Sequence, residues 1–357
     1  MSGDRKAYKG RGSVSNPDCR YDAYRREAAD DGWPEDDDAP PAPATTVSVD
    51  ATRTIIARNS SPDVPFEQSI NPYRGCEHGC IYCFARPTHA YLGLSPGLDF
   101  ETRLFCKPDA PRLLQGELDR AGYQCRVLAL GANTDCYQPV ERKWQITRGI
   151  LETLAAHRHP VTIVTKSALV ERDMDLLAPM AESGLVQVNV SVTTLDPALA
   201  RRLEPRAAAP HRRLQTIERL ARAGIPTGVL VAPIIPVLTD GELETILQSA
   251  ADGGAGFAGY VLLRLPLEVK DLFKEWLQAN APLKADHVMG QVREARQGRE
   301  NDARFGARMR GNGAYADLIG RRFDVARRRL GLASSGPALR TDLFCRPARS
   351  GDQLTLL

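Results

Sequence analysis

The sequence contains no apolar run approaching the ~20 residues that a membrane-spanning helix needs. Its best stretch, 229–238, is short and interrupted by Pro233 and Pro236. The amino terminus, MSGDRKAYKGRG, has none of the apolar core that a secretory signal requires. Both absences predict a cytoplasmic protein with no membrane partner. Net charge is almost missing as well, since 47 Lys and Arg against 44 Asp and Glu leave +3. Bulk charge therefore does not mark a nucleic-acid binder. What is present is ordinary globular composition, 43% hydrophobic and 25% charged, in 357 residues that suit one large domain with extensions. Eight cysteines in a reducing compartment are not expected to pair, so a tight group among them points to metal or catalysis.

The charge that exists is unevenly placed. Asp30, Asp31, Glu35, Asp36, Asp37 and Asp38 form an acidic knot, whereas 293–329 holds eleven Arg against five acids, an excess of six positive charges. Such an excess can attract phosphates or an acidic partner, nucleic acid included; the alternative is a solvated helical face. Residues 1–66 carry charge, Pro, Ala and Ser without a sustained period, and Ala39-Pro-Pro-Ala-Pro-Ala44 has linker composition, so a disordered, flexible arm is expected there.

From residue 67 the pattern becomes regular. Strands are expected at 69–74, 127–130, 161–165, 186–193, 227–234 and 260–265, and helices at 85–92, 144–156, 171–183, 212–223, 240–251 and 269–279. Most of these strands are nearly continuous apolar runs, the pattern of a parallel sheet covered by helices. The expected fold is α/β, a partial (β/α)6 barrel of parallel strands over 67–282, with a doubly wound sheet as the other solution. Either one puts the active site at the C-terminal ends of the strands. A basic helical extension is expected over 283–332 and a flexible tail over 333–357.

The chemistry-bearing motif is Cys76-Glu-His-Gly-Cys80-Ile-Tyr-Cys83, three thiols within eight residues. Three Cys on one tight loop can ligate three irons of a cubane cluster and leave the fourth open to a small molecule. A structural zinc site or an electron-transfer cluster wants a fourth protein ligand. The nearest further thiol, Cys106, lies twenty-three residues on, and His78 would serve only with awkward geometry. A noncatalytic iron–sulfur or zinc module that binds nucleic acid is the rival reading.

The C-x3-C-x2-C spacing, with an aromatic residue before the last Cys, resembles the radical S-adenosylmethionine (SAM) superfamily over roughly 69–279. The resemblance implies a [4Fe–4S] cluster on Cys76, Cys80 and Cys83 with SAM chelating the open iron. It also implies a 5′-deoxyadenosyl radical that abstracts hydrogen from substrate, and a reducing partner such as flavodoxin or ferredoxin. It puts Tyr82 beside the adenine. Asn133, Thr134 and Asp135 stand where many members carry a Gly-Gly-Glu that holds the methionine amino group; a capped turn is the plainer reading. Ser191 and Thr193 fall where the superfamily makes ribose contacts, although a Thr-rich strand end explains them equally. Arg206, in Glu204-Pro-Arg206, is assigned to cofactor or substrate.

Asn71-Pro-Tyr-Arg-Gly-Cys76, Thr165-Lys-Ser167, Leu203-Glu-Pro-Arg206 and Val231-Ala-Pro-Ile-Ile-Pro236 narrow the resemblance to an uncharacterised branch of the spore photoproduct lyase-like group. Gly10-Arg-Gly12, and Arg304 to Ala316 in the basic stretch, resemble it too. The true lyases use a hydrogen-donating Cys just before a Thr/Ser-Asp pair. Here Ala132 and Asn133 precede Thr134-Asp135 and Cys136 follows. The lyase reaction is therefore not implied, and no catalytic residue is assigned. The last five residues, Gln353-Leu-Thr-Leu-Leu357, resemble the peptide by which replication and repair proteins bind the sliding clamp, a further candidate partner.

Overall fold

The computed structural model describes residues 8–22 and 43–347. Among them, ten strands form two sheets: β1 (Thr46–Val49), β2 (Ala57–Arg58), β3 (Gln68–Ile70), β4 (Tyr73–Arg74), β5 (Arg103–Cys106), β6 (Leu128–Leu130), β7 (Val161–Thr165), β8 (Val186–Ser191), β9 (Thr227–Ile234) and β10 (Phe257–Leu262). The large sheet has the order β10-β9-β8-β7-β6-β3-β2. Strands β3 and β6 to β10 are all parallel, and only β2 runs antiparallel, beside β3. The six parallel strands follow one another in chain order without a reversal, so the sheet winds continuously as a partial barrel. A doubly wound sheet would reverse at a switch point.

Local sequence explains these elements. Strand β7 is Val-Thr-Ile-Val-Thr, β-branched throughout, and β8 turns Val186, Val188 and Val190 into the core with no exposure. Helix Ile146–Ala156 buries Ile146, Ile150, Leu151 and Leu154, one apolar stripe at helical spacing. Ser167 caps the next helical stretch by accepting from Leu169 N, and that stretch stops where Gly184 takes φ 68°. A second apolar cluster joins Ile81 and Tyr82 to Leu203, Ile235, Leu265, Phe273 and Trp276. Each fully buried Leu or Phe there contributes about 1.5–3 kcal/mol, which anchors the cysteine loop to helix Val269–Asn280.

Several elements differ from expectation. The last barrel strand occupies Phe257–Leu262 instead of 260–265. Its Gly-rich start looks like a loop, but Phe257 lies opposite Gly228, where any Cβ would meet the Phe257 ring at 2.2 Å. The expected strand 69–74 divides: β3 stays in the barrel while β4 leaves it to pair with β5, which also pairs with β1. Residues 86–92 form a 3₁₀ rather than an α-helix.

Within the stretch expected as a flexible arm, Arg11, Ser13, Val14 and Ser15 are buried, and Arg11 donates to Pro43 O at the end of the Pro-rich run. Composition signals a linker only locally; one long-range arginine anchors it. Within the expected tail, Ala333 bonds back to the barrel at Gly256 and Ala258, and the Phe344 ring packs on Tyr123 and His159. The acidic knot and the clamp-like pentapeptide lie outside the described residues. Helices Ala285–Glu294, Ala307–Arg310 and Ala314–Arg329 make up the basic stretch. Much of its charge is already matched. Arg304 pairs with Asp302, Arg308 with Asp63 and Arg322 with Glu244, while Arg296 is buried and donates to the carbonyls of Leu263 and Ala307. Among the described residues no helix is long and apolar enough to cross a membrane.

Candidate functional site

The cysteine loop leaves the C-terminal end of β3 and closes over the mouth of the barrel. Its backbone is pinned at Cys76 N to Phe100 O (2.9 Å) and Ile81 N to Leu203 O (3.0 Å). Cys83 N turns back to Cys80 O at 3.2 Å. Gly79 takes φ 67°, and a Cβ there would meet Glu101 Oε2 at 2.8 Å, so only glycine turns the chain between the first two cysteines. Cys76 and Cys80 are buried and Cys83 is half-buried. Burial pushes all three thiols up; for Cys76, Asp135 and then the other two thiols add to it. The three are thus close enough to repel one another as thiolates.

Neither candidate fourth ligand stands with them. His78 points its Nδ1 to Asp135 Oδ2 at 3.4 Å, and Cys106 lies fully buried in β5 among core residues. Among the described residues no group of three or more His, Cys, Asp or Glu converges as ligands of one ion do. A cubane spreads its thiolates over separate irons and does not require such convergence.

Two elements distant in sequence hold the loop. Arg86 is completely buried and donates to Cys80 O (2.9 Å), Gly79 O (3.1 Å), Pro96 O (3.1 Å), Gly97 O (3.0 Å) and Glu101 Oε1 (2.5 Å). Glu101, equally buried, also accepts from Gly12 N (2.9 Å) and Ser13 N (2.8 Å). The amino-terminal segment therefore lies directly on the loop: a Cβ on Gly12 would come within 1.8 Å of Gly79 O.

A polar network lines the C-terminal ends of β7 to β9. Lys166 Nζ donates to Ser191 Oγ (2.6 Å), Thr193 Oγ1 (3.2 Å) and Ala232 O (3.0 Å), lies 3.2 Å from Glu204 and sits over the Tyr82 ring. Burial lowers its ammonium to about 8. The Tyr82 hydroxyl bonds Thr193 and Glu204, and Arg213 pairs with the second Glu204 oxygen. Tyr82, Ser191 and Thr193 are thus gathered into one constellation beside the cysteines.

The other expected residues gather on the His78 side. Thr134 Oγ1 bonds Tyr73 O (2.8 Å), and the amides of Asn133 and Thr134 bond Asn71 Oδ1, the geometry of a capped turn. Asp135 accepts from Thr165 Oγ1 (2.8 Å) and Lys166 N (2.7 Å). Burial alone would raise its carboxyl, but His78 and the amides of Lys166 and Tyr137 hold it below the usual range. Arg206 pairs with Glu77 (2.9 Å) and borders a cleft of about 380 Å³ together with His78, Arg142, Ser167 and Arg212.

Residues 70–250, half of the chain, match the Radical SAM superfamily. The chain belongs to that superfamily. Its [4Fe–4S] cluster and SAM are the group against which the loop is to be judged, and three mutually close thiols without a fourth fit it. Uncharacterised proteins of Mycobacterium tuberculosis and Mycobacterium bovis are each 40% identical to this radical SAM protein over 61% of its chain and 65% of theirs. The match thus spans less than two thirds of the length of those relatives. An uncharacterised protein of Methanocaldococcus jannaschii is 27% identical over 60% of this chain and 76% of its own. A spore photoproduct lyase variant shares the fold, with TM-score 0.58, 17% identity, and coverage of 81% of this chain and 80% of that one. Spore photoproduct lyase complexed with dinucleoside spore photoproduct matches at TM-score 0.57 and 15% identity over the same shares.

Sequence reasoning flagged the charges of Glu204-Pro-Arg206 but missed other residues that hold the site: Lys166, Arg213, Arg86 and Glu101. A usable signal existed for Lys166, a lone cation directly after an apolar strand at its C-terminal end. The Arg86–Glu101 clamp has no such local signature.

Proposed function

We propose that the chain is a radical SAM enzyme in which Cys76, Cys80 and Cys83 hold the cluster. In this reading Tyr82, Lys166, Ser191 and Thr193 form the SAM side of the site, and Asn133, Asp135 and Arg206 border it. One observation carries the proposal: three adjacent thiols on a single clamped loop at the barrel mouth, with no fourth ligand beside them among the described residues. When bound, the cluster supplies one electron for cleavage of the SAM sulfur–carbon bond and so yields a carbon radical for hydrogen abstraction. The chain's own residues position and exclude. Thr193 and Glu204 fix the Tyr82 hydroxyl, which sets the plane of its ring. Lys166 ties Ser191, Thr193 and Glu204 into one network against the Tyr82 ring, and burial of the loop keeps water away.

The substrate is unidentified. Nucleic acid stays a candidate, with less support than the arginine count suggests, because Arg296, Arg304, Arg308 and Arg322 are already engaged. A one-electron donor, flavodoxin or ferredoxin in kind, is required by the chemistry. The test is anaerobic incubation of reconstituted protein with reductant and SAM. The wild type yields 5′-deoxyadenosine, Cys80→Ala yields none, and Cys106→Ala yields the wild-type amount. Equal loss in the Cys106 and Cys80 variants overturns the three-cysteine assignment.

A further inference from the structure

The large sheet has two edges, β10 and β2, and the wall between them is open. At the mouth this seam is spanned by a contact between the two sides. Phe84, which follows Cys83, carries the Arg264 guanidinium over its ring at 5.4 Å, and Arg264 lies two residues past the end of β10. Phe84 is 44% exposed, so the stack opens to solvent beside the half-buried thiol of Cys83.

Arg264 differs from Arg296, Arg304 and Arg308 around it. Arg296 is committed to the carbonyls of Leu263 and Ala307, and Arg308 to Asp63 and Ser61. Arg304 is committed to Asp302. Arg264 has no carboxylate within ion-pair distance among the described residues. Among the described residues its only hydrogen bond runs from Nη1 to the Met309 sulfur at 3.4 Å, a weak acceptor, and its buried Nε has no hydrogen-bond partner. Burial lowers the guanidinium to about 10, with Arg308 and Arg296 adding to the fall and Asp63 opposing it. Asp63 is itself occupied by Arg308 and Gly306 N. A desolvated cation without a counter-charge is costly to keep, and a buried donor without an acceptor calls for an explanation.

We propose that Arg264 is an oxyanion-binding residue at the barrel seam, taking a phosphate or carboxylate group of the substrate beside Phe84. The planar fork of a guanidinium suits either anion, and the Phe84 face holds the fork in place. The assignment rests on the radical SAM reading for the word substrate; the anion site itself does not depend on the cluster.

The experiment uses the full chain without its cluster, titrated calorimetrically with inorganic pyrophosphate in one arm and succinate in the other. Saturable binding in the first arm identifies a phosphoryl group and in the second a carboxylate. The site is upheld if Arg264→Gln weakens that binding at least about tenfold while Arg264→Lys keeps part of it. A second measurement stands if the Gln variant fails to fold. In the wild type, the bound probe protects Arg264 from phenylglyoxal modification, read by mass spectrometry. Binding of neither probe, unchanged binding in Arg264→Gln, or modification of Arg264 at saturating probe each overturns the inference. If SAM cleavage fails while the anion site stands, the fault lies with the proposed function. Cleavage with no anion site removes this inference alone.

Discussion

The cysteine loop and the basic helical stretch after residue 283 both involve arginine, and they use it oppositely. Just after the loop, one arginine, Arg86, is buried, and its five hydrogen bonds immobilise the backbone that carries the thiols. In the helical stretch the arginines are numerous and mostly peripheral; some pair within the stretch, as Arg304 does with Asp302, and others fasten helices to the barrel, as Arg322 does at Glu244. Counting charge singled out the arginines of the second region and gave no sign of Arg86 beside the first. Partners and burial reverse that ranking, because a charge acts by what it faces and how little water surrounds it.

The comparison breaks most visibly at Arg86. Arg86→Ala leaves Glu101 buried with its charge partner gone, so a loss of about 3–5 kcal/mol is expected in denaturant unfolding. Iron retention after reconstitution should fall with it. Gly12→Val attacks the same clamp from the other side, since its side chain cannot pass Gly79 O. If Arg86→Ala is no more harmful than Arg328→Ala, the clamp is not what holds the loop.

A smaller effect distinguishes the regions by pH. His89 packs against Phe100 and Phe105 beside the loop, and burial lowers its imidazole to about 4. The unfolded chain protonates near 6.5, so it binds the proton first as pH falls. Stability is therefore complete above about 6.5 and is lost between there and about 4. From pH 7 to 5 the loss is about 2 kcal/mol, and His89→Phe should flatten that part of the profile. An unchanged slope in the variant would show that other groups govern the acid limb.

The smallest effect belongs to the helical stretch. Arg328 is exposed and, among the described residues, bonds only the carbonyl of Asp324 within its own helix, so Arg328→Ala should leave the unfolding midpoint unchanged. A large shift would mean that this surface is covered in solution.

How far the sequence could be read follows the same division. The alternation of apolar strands and helices was legible because periodicity is a local property, and the parallel barrel strands lie close to where it put them. The thiol spacing was legible because three ligands within eight residues constrain one another directly. The start of β10 was not, since Phe257 becomes a strand residue only through the space left by Gly228 on its neighbour. Nor was the fate of residues 8–22, whose composition suggests a linker until Gly12 meets Gly79.

By itself, then, the sequence determined the order of the barrel and the three thiols at its mouth, both written in short-range pattern. Only the tertiary structure decided what secures them. Glu101 joins Arg86 to an amino-terminal segment ninety residues away, Lys166 ties Ser191 and Thr193 at the end of β8 to the Ala232 carbonyl on β9, and among the described residues Arg264 is left without an ion-pair partner at the seam. Such pairings depend on which residues the winding of the sheet brings together, and buried charges leave no periodic trace along the chain.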